Sequence, residues 1–334
     1  MTETLFLRSD ETEGLATPAE YVDAVREGYR QVGEGAPAEP RTTLPNADPP
    51  GMLTTYIAIL PEAGAMGGYT YSAGFGAGDA WFMTPVFDAG TGEPLALIDG
   101  AHMNPFKTGA VGAVGIDALA RDDAETLAVI GSGRQARGQL VSAVTVRDFT
   151  KVRVYSPTKD NREAFAGAMN EQLEPTVAAV ASSAAAVEGA DVVITATNAS
   201  QPVVDGDHLD DGTHVTAIGQ YNPEKRELDG ATIRRATYVP DLRARALQDA
   251  GSFLQAMAEG LVDEEHIHAE LGEVVAGVEP GRTSSDEVTV FDSGGTAIET
   301  IAAAHMIYEK ARDAGLGSTI DFAPASRAMP AAHR

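Results

Sequence analysis

The chain contains no cysteine, a single tryptophan and only five lysines, Lys107, Lys151, Lys159, Lys225 and Lys310, in 334 residues. Without cysteine there are no disulfides, zinc-thiolate centres or thiol nucleophiles, and redox logic says nothing of the compartment. The shortage of lysine leaves 24 basic residues against 49 acidic ones, a net charge of −25. Such a field repels phosphate backbones and anionic lipids, so neither nucleic acid nor a membrane is expected as a partner. In molar salt the self-repulsion is screened within about 3 Å while the carboxylates keep the surface hydrated, which reads as a halophile's surface. No apolar run approaches the ~20 residues of a membrane-spanning helix, and Met1–Arg8 has neither a basic n-region nor a long apolar h-region. A cytoplasmic protein is expected. Among seven scattered histidines, only His266 and His268 are close. Spaced i, i+2 in a stretch read as helical, they face different ways, and no metal site is expected.

The most informative segment is Leu127-Ala-Val-Ile-Gly-Ser-Gly-Arg-Gln-Ala136, a short apolar run ending in G-x-G-x-x-A. Gly131 permits the tight turn, Gly133 lets the backbone approach a pyrophosphate, and Ala136 lets the new helix pack on its strand. Ser132, Arg134 and Gln135 fill the remaining positions, where amides at a helix start face phosphate. A helix is read over 138–147, followed by the alternating strand Lys151–Tyr155, completing a βαβ unit. Two further apolar runs, Asp191–Thr197 and His214–Gly219, end in small polar residues suited to border a cofactor, giving Thr197 and Gly219 as candidates.

The tip of the second strand selects the coenzyme, because an acidic residue there accepts from the ribose 2′-hydroxyl of NAD whereas basic and hydroxyl groups suit a 2′-phosphate. Here it reads Ser156-Pro-Thr158-Lys159 with Arg162 one turn on, and Asp160 serves as a helix cap. NADP(H) is therefore favoured over NAD(H).

The length implies two domains. Thr17 and Pro18 open a helix over residues 17–32 with Tyr21, Val25 and Tyr29 on its buried side. Strand candidates follow at Met52–Leu60, Ala80–Phe87 and Pro94–Ile98, separated by glycine-rich turns, then a helix over 105–121. A long amphipathic helix over 296–314 returns to the first domain, and 324–334 reads as a disordered tail. The expected fold is α/β: a Rossmann-type dinucleotide-binding domain over 118–300, and an N-terminal α+β substrate and dimerisation domain formed by 1–117 and 301–334.

Together these segments resemble the ornithine cyclodeaminase and mu-crystallin family over nearly the whole chain. The matching motifs are Glu39-Pro-Arg-Thr42, Asp88–Leu97 with Lys107-Thr-Gly-Ala110, Gly131–Ala136, Val239-Pro-Asp-Leu-Arg243, and Gly272–Gly277 with Gly281–Gly294. The last run is the most specific, having no simple propensity explanation. The resemblance implies an NAD(P)-dependent enzyme that binds a small amino or imino acid beside the nicotinamide, transfers a hydride at the carbon bearing nitrogen, and dimerises through its N-terminal sheet. It assigns Arg41 to the substrate carboxylate and puts Lys107 where the family usually has a second arginine. Ser293 and Gly294 fall beside the nicotinamide.

Two positions depart from the family pattern. Thr70 matches the family's catalytic lysine and Tyr221 its catalytic aspartate. Threonine does not titrate near neutrality, and a phenol with a pKa of about 10 is a poor base. A tyrosine still donates a proton to an imine nitrogen, so reduction suffers less than oxidation. Tyr69, Tyr71, Tyr221, His102 and Lys107 are the neighbours able to substitute, with Tyr69 also a substrate contact. The resemblance thus implies a ketimine reductase or amino acid dehydrogenase; the alternatives are an ornithine cyclodeaminase with relocated acid and base groups, or an NADP-binding protein with little catalysis.

Overall fold

Thr17 caps the first long helix through a reciprocal pair: its hydroxyl accepts from Glu20 N at 3.3 Å, and its own N–H donates to Glu20 Oε2 at 2.8 Å. With Pro18 at the first position, helix α1 runs Pro18–Gly33 and buries Tyr21, Val25 and Tyr29. The computed structural model describes residues 2–328, and these divide into two compact units. One comprises the residues up to Asn104 and those from Thr296 onward; the other is Pro105–Gly295. The sequence had suggested joints after residues 117 and 300.

The first unit contains β1 (Thr2–Leu7), β2 (Thr42–Ala47), β3 (Pro50–Leu60), β4 (Ala65–Gly74), β5 (Asp79–Asp88) and β6 (Pro94–Asp99). Strands β2 to β6 form an antiparallel meander, and β1 joins β6 in parallel. Along β3 the period-2 rule is clean: Thr54, Tyr56, Ala58 and Leu60 are buried while Leu53, Thr55, Ile57 and Ile59 face outward. Strand β4 is a correction, since its glycines read as turns. A Cβ at Gly67 would sit 2.2 Å from Pro85 O, so this glycine admits close backbone approach where the β5–β6 register shifts at Val86/Phe87. The helix Ala297–Ala314 packs on β3, β4 and α1, as expected for a return to this unit.

The second unit holds α2 (from Met103, in the first unit, to Leu119), β7 (Thr126–Ile130), α3 (Arg134–Ala143), β8 (Lys151–Tyr155), α4 (Lys159–Asn170), β9 (Thr176–Ala179), β10 (Val192–Thr195), β11 (His214–Ala217), β12 (Thr237–Pro240) and β13 (Thr289–Asp292). All seven strands are parallel, in the order β12-β13-β11-β10-β7-β8-β9. The chain leaves β7 toward β8 on one side and returns to β10 on the other, so the ends of β7 and β10 form the switch point where such folds bind ligands. Helix α3 begins directly after Gly133, not at Gly138, because the glycine turn itself supplies the helix start; it ends at Ala143. His266 closes a single 3-10 turn, Glu264–His266, so the helical reading there is also corrected.

After the long helix, β14 (Ser318–Phe322) pairs antiparallel with β1. The sequence reading left that strand out. Of its tail, Ala325–Ala328 forms one helical turn, and 329–334 lies outside the described residues.

Candidate functional site

The β7–α3 turn has the shape its glycines require. Gly131 has φ +122°, and a Cβ there would lie 2.4 Å from Ala196 O, so only glycine fits. Gly133 is the extended N-cap of α3, and a Cβ placed on it meets nothing within 4 Å. The approach to the start of α3 is therefore open at Gly133. Gln135 Oε1 is buried without a hydrogen-bond partner among the described residues, and Ala136 packs the helix onto the sheet with no exposed surface. A bare backbone approach at a helix start fits a dinucleotide diphosphate.

At the end of β8 the Ser132 hydroxyl donates to Ser156 Oγ at 2.9 Å, tying the glycine turn to the strand tip. Arg162 donates to Ser156 O at 2.9 Å and Pro157 O at 3.3 Å and lies over the Tyr155 ring, which places its guanidinium at that tip. Thr158, and not Asp160, is the N-cap residue of α4, since the helix starts at Lys159 and Asp160 lies in its first turn; the Thr158 carbonyl accepts from the Ser156 hydroxyl at 3.4 Å. Lys159 instead forms an exposed pair with Glu163 at 3.6 Å.

Two buried carboxylates that sequence reasoning missed organise the opposite half. Glu227 accepts from Thr197 N and Gly219 N, each at 2.7 Å, and from Thr195 Oγ1 at 3.0 Å. Burial raises its pKa although these donors pull it down. Asp241 accepts from Ser293 Oγ and Gly294 N at 3.0 Å and from Gly295 N at 3.2 Å. Its other oxygen takes Arg245 Nε at 2.7 Å, and Arg245, fully buried, reaches Asp292 at 2.8 Å. Asp241 stands inside the Val239–Arg243 motif quoted above, and Glu227 is 8 residues beyond Gly219. For Asp241 an acid amid apolar neighbours was the available signal, whereas Glu227 sits in the charged run Glu224-Lys-Arg-Glu-Leu-Asp229, and acidic residues are so common in this chain that neither stood out.

In the first unit Arg41 is 5 % exposed, with its guanidinium carbon 5.8 Å from the Tyr56 ring centroid. The Tyr56 and Tyr69 rings are 5.4 Å apart, Tyr69 and Tyr71 5.7 Å, and Phe82 stacks on Tyr69. Burial holds the Tyr69 phenol well above its usual pKa, so it stays protonated at any physiological pH. Thr70 lies on the other face: its hydroxyl pairs with Thr55 Oγ1 at 3.0 Å across β3–β4, on the outward side. The structure thus brings Arg41 and Tyr69 together and leaves Thr70 apart, because adjacent strand residues point oppositely.

Lys107, on α2 in the second unit, is 2 % exposed, whereas Tyr221, two residues beyond Gly219, is 40 % exposed. His266 and His268 engage the carbonyls of Ile233 and Pro280. Among the described residues no cluster of His, Asp or Glu is arranged to hold a metal ion.

The sequence profile of the ornithine cyclodeaminase/mu-crystallin family matches residues 2–315. A delta(1)-pyrroline-2-carboxylate reductase of Bacillus cereus is 39% identical over 267 residues, spanning 80% of this chain and 79% of that protein. The structure of the Thermococcus litoralis delta(1)-pyrroline-2-carboxylate reductase in complex with NADH and L-proline superposes with a TM-score of 0.90 at 33% identity, covering 95% of this chain and all of that one. An archaeal alanine dehydrogenase dimer with bound NAD gives a TM-score of 0.89 at 30% identity over 96% of this chain and all of that one.

Proposed function

The chain belongs to the ornithine cyclodeaminase/mu-crystallin family of NAD(P)-dependent oxidoreductases acting on C–N bonds, and on that premise we propose that it reduces a small cyclic imino acid of the pyrroline-2-carboxylate type. The observation that carries this reading is the pairing of a buried Arg41 with protonated tyrosines on one face of the first unit, with no carboxylate at the family's aspartate position, Tyr221. The relatives named as pyrroline-2-carboxylate reductases support the substrate class.

Arg41 is the proposed carboxylate ligand, since a planar two-pronged donor matches a planar anion. Lys107 is the second candidate for that charge. A reduced coenzyme whose diphosphate is held at the β7–α3 turn would supply a hydride to the C=N carbon. The nitrogen also takes up one proton, and a phenol kept neutral donates a hydrogen bond to it without first having to ionise. Tyr69 fills that role better than Thr70, which faces away from Arg41. Tyr221, exposed on its loop, is the second such phenol. Oxidising an amine would instead require a group that accepts a proton near neutrality, and these tyrosines are poor bases.

NADP(H) is the favoured coenzyme in this reading, supported by the hydroxyls of Ser156 and Thr158 and the guanidinium of Arg162 at a strand tip without a carboxylate. The NADH and NAD bound in the two solved relatives make NADH the natural competitor. A homodimer through the N-terminal sheet is proposed from its outward apolar row, Leu44, Leu53 and Trp81, with Met83 and Ile57 beside it. The charge of −25 supports work in concentrated salt.

The test is a screen in molar KCl of cyclic imino acids, of 2-oxo acids with ammonia or methylamine, and of ornithine, following NADPH and NADH absorbance. Oxidation of coenzyme with pyrroline-2-carboxylate is expected. Formation of proline and ammonia from ornithine would contradict the assignment.

A further inference from the structure

The backbone ladder between β10 and β11 ends at Thr195 and Ala217, with Ile218 N making a last bond to Thr195 O at 2.9 Å. Beyond it, the N–H groups of Thr197 and Gly219 are taken up by one side chain, Glu227, which is 1 % exposed. Gln220 adds a second link between the same two ends, donating from Nε2 to Thr197 O at 3.0 Å. A Cβ on Gly219 would fall 2.4 Å from Thr197 N and 2.5 Å from Glu227 Oε1, so the approach tolerates no larger residue.

The clamp is itself anchored. The Glu227 carbonyl accepts from Val203 N at 2.7 Å and Val204 N at 3.3 Å, and Leu228 N donates to Ser252 Oγ at 3.2 Å. The Thr195 hydroxyl adds a third donor to the carboxylate. Its donors are thus all neutral, so its role is geometric and not that of an ion pair. Burying a carboxylate is costly unless its acceptors are filled, and a purely structural link between two strand ends needs no charge. An acid retained here points to a geometry that only two acceptor oxygens provide.

We propose that Glu227 is a positioning residue for the nicotinamide half of the coenzyme, fixing the Thr197 and Gly219 strand ends against which that half lies. This rests on the coenzyme reading above. In a doubly wound sheet each mononucleotide half of the ligand belongs to one side of the switch point. The β7–β8 side holds the strand tip that selects on the adenosine ribose, which leaves β10 and β11 to the nicotinamide half.

The experiment compares binding of NADH with binding of ADP-ribose, which keeps the adenosine and diphosphate but lacks the nicotinamide. Glu227→Gln presents one acceptor and one NH2 donor, so one of the two backbone N–H groups meets another donor. The expected result is a Kd for NADH raised about tenfold, with the Kd for ADP-ribose within about twofold of wild type. Thr195→Val removes the hydroxyl at nearly unchanged volume and is expected to weaken NADH about threefold, again sparing ADP-ribose. It decides the matter if Glu227→Gln fails to fold. Equal losses for both ligands, or no loss for NADH, overturn the proposal. Wild-type protein that binds none of NADH, NADPH and ADP-ribose refutes the coenzyme reading instead.

Discussion

The Arg41 guanidinium lies over the Tyr56 ring, its carbon 5.8 Å from the centroid, with Tyr69 on the same face of the sheet. A buried cation against an aromatic wall discriminates by geometry, so exchanging guanidinium for ammonium is not conservative. Arg41→Lys is expected to raise KM for the imino acid by at least tenfold while the Kd for NADPH stays within twofold. Steady-state kinetics with a coenzyme titration check this; an unchanged KM removes Arg41 from the carboxylate site.

Tyr69 and Thr70 are neighbours in sequence but point to opposite sides of β4. Tyr69→Phe deletes one hydroxyl among stacked rings and is expected to lower kcat/KM by about 10- to 100-fold, within the range a general acid contributes. Thr70→Val is expected to leave kcat/KM within about twofold. Reversed effects would return the catalytic role to the Thr70 position.

At the β8 tip, Arg162→Ala is expected to raise KM for NADPH about tenfold and to leave KM for NADH nearly unchanged. Ser156→Asp places a carboxylate there and is expected to turn the preference toward NADH. If NADPH and NADH respond equally to both changes, the strand tip does not select the coenzyme.

His214 is fully buried between Thr289 Oγ1 and Thr216 Oγ1, each at 2.9 Å, and burial pushes its pKa down from 6.5 to about 3. The unfolded chain therefore binds a proton that the folded one refuses. Its contribution is complete above about pH 6.5 and is lost as pH falls toward 3. Between pH 6 and 4 the unfolding free energy of wild type should fall more steeply than that of His214→Gln, by up to about 1.4 kcal/mol per pH unit. Parallel curves from chemical denaturation would exclude His214 as a source of acid lability.

Trp81 is 66 % exposed on the outward face of the first unit's sheet, in register with Ser72 and, beyond it, Leu53 and Leu44. Trp81→Asp is expected to convert a dimer to a monomer in sedimentation velocity measured in molar KCl. A wild-type monomer would leave that apolar row without the proposed partner.

The sequence made the coenzyme unit legible because each device there is local: Gly131, Gly133 and Ala136 act within one turn, and the strands are short buried runs. The first unit was harder to read, since β4 carries Gly67 and Gly68 for packing that only the folded partner strands reveal. Thr70 was chosen by alignment to a lysine, and a shift of one residue on a strand changes the face. Glu227 and Asp241 went unnoticed because their partners lie up to 32 and 54 residues away, a separation that no local pattern encodes.

The central claim is that the glycine turn after Ile130 binds a reduced coenzyme from which an imino acid takes a hydride. Single-turnover mixing of the NADPH-bound protein with pyrroline-2-carboxylate in molar KCl tests it most directly. We predict saturable NADPH binding and stoichiometric loss of its absorbance as proline forms. Absence of saturable binding by either reduced coenzyme, or bound coenzyme that persists unoxidised with every cyclic imino acid, would contradict it.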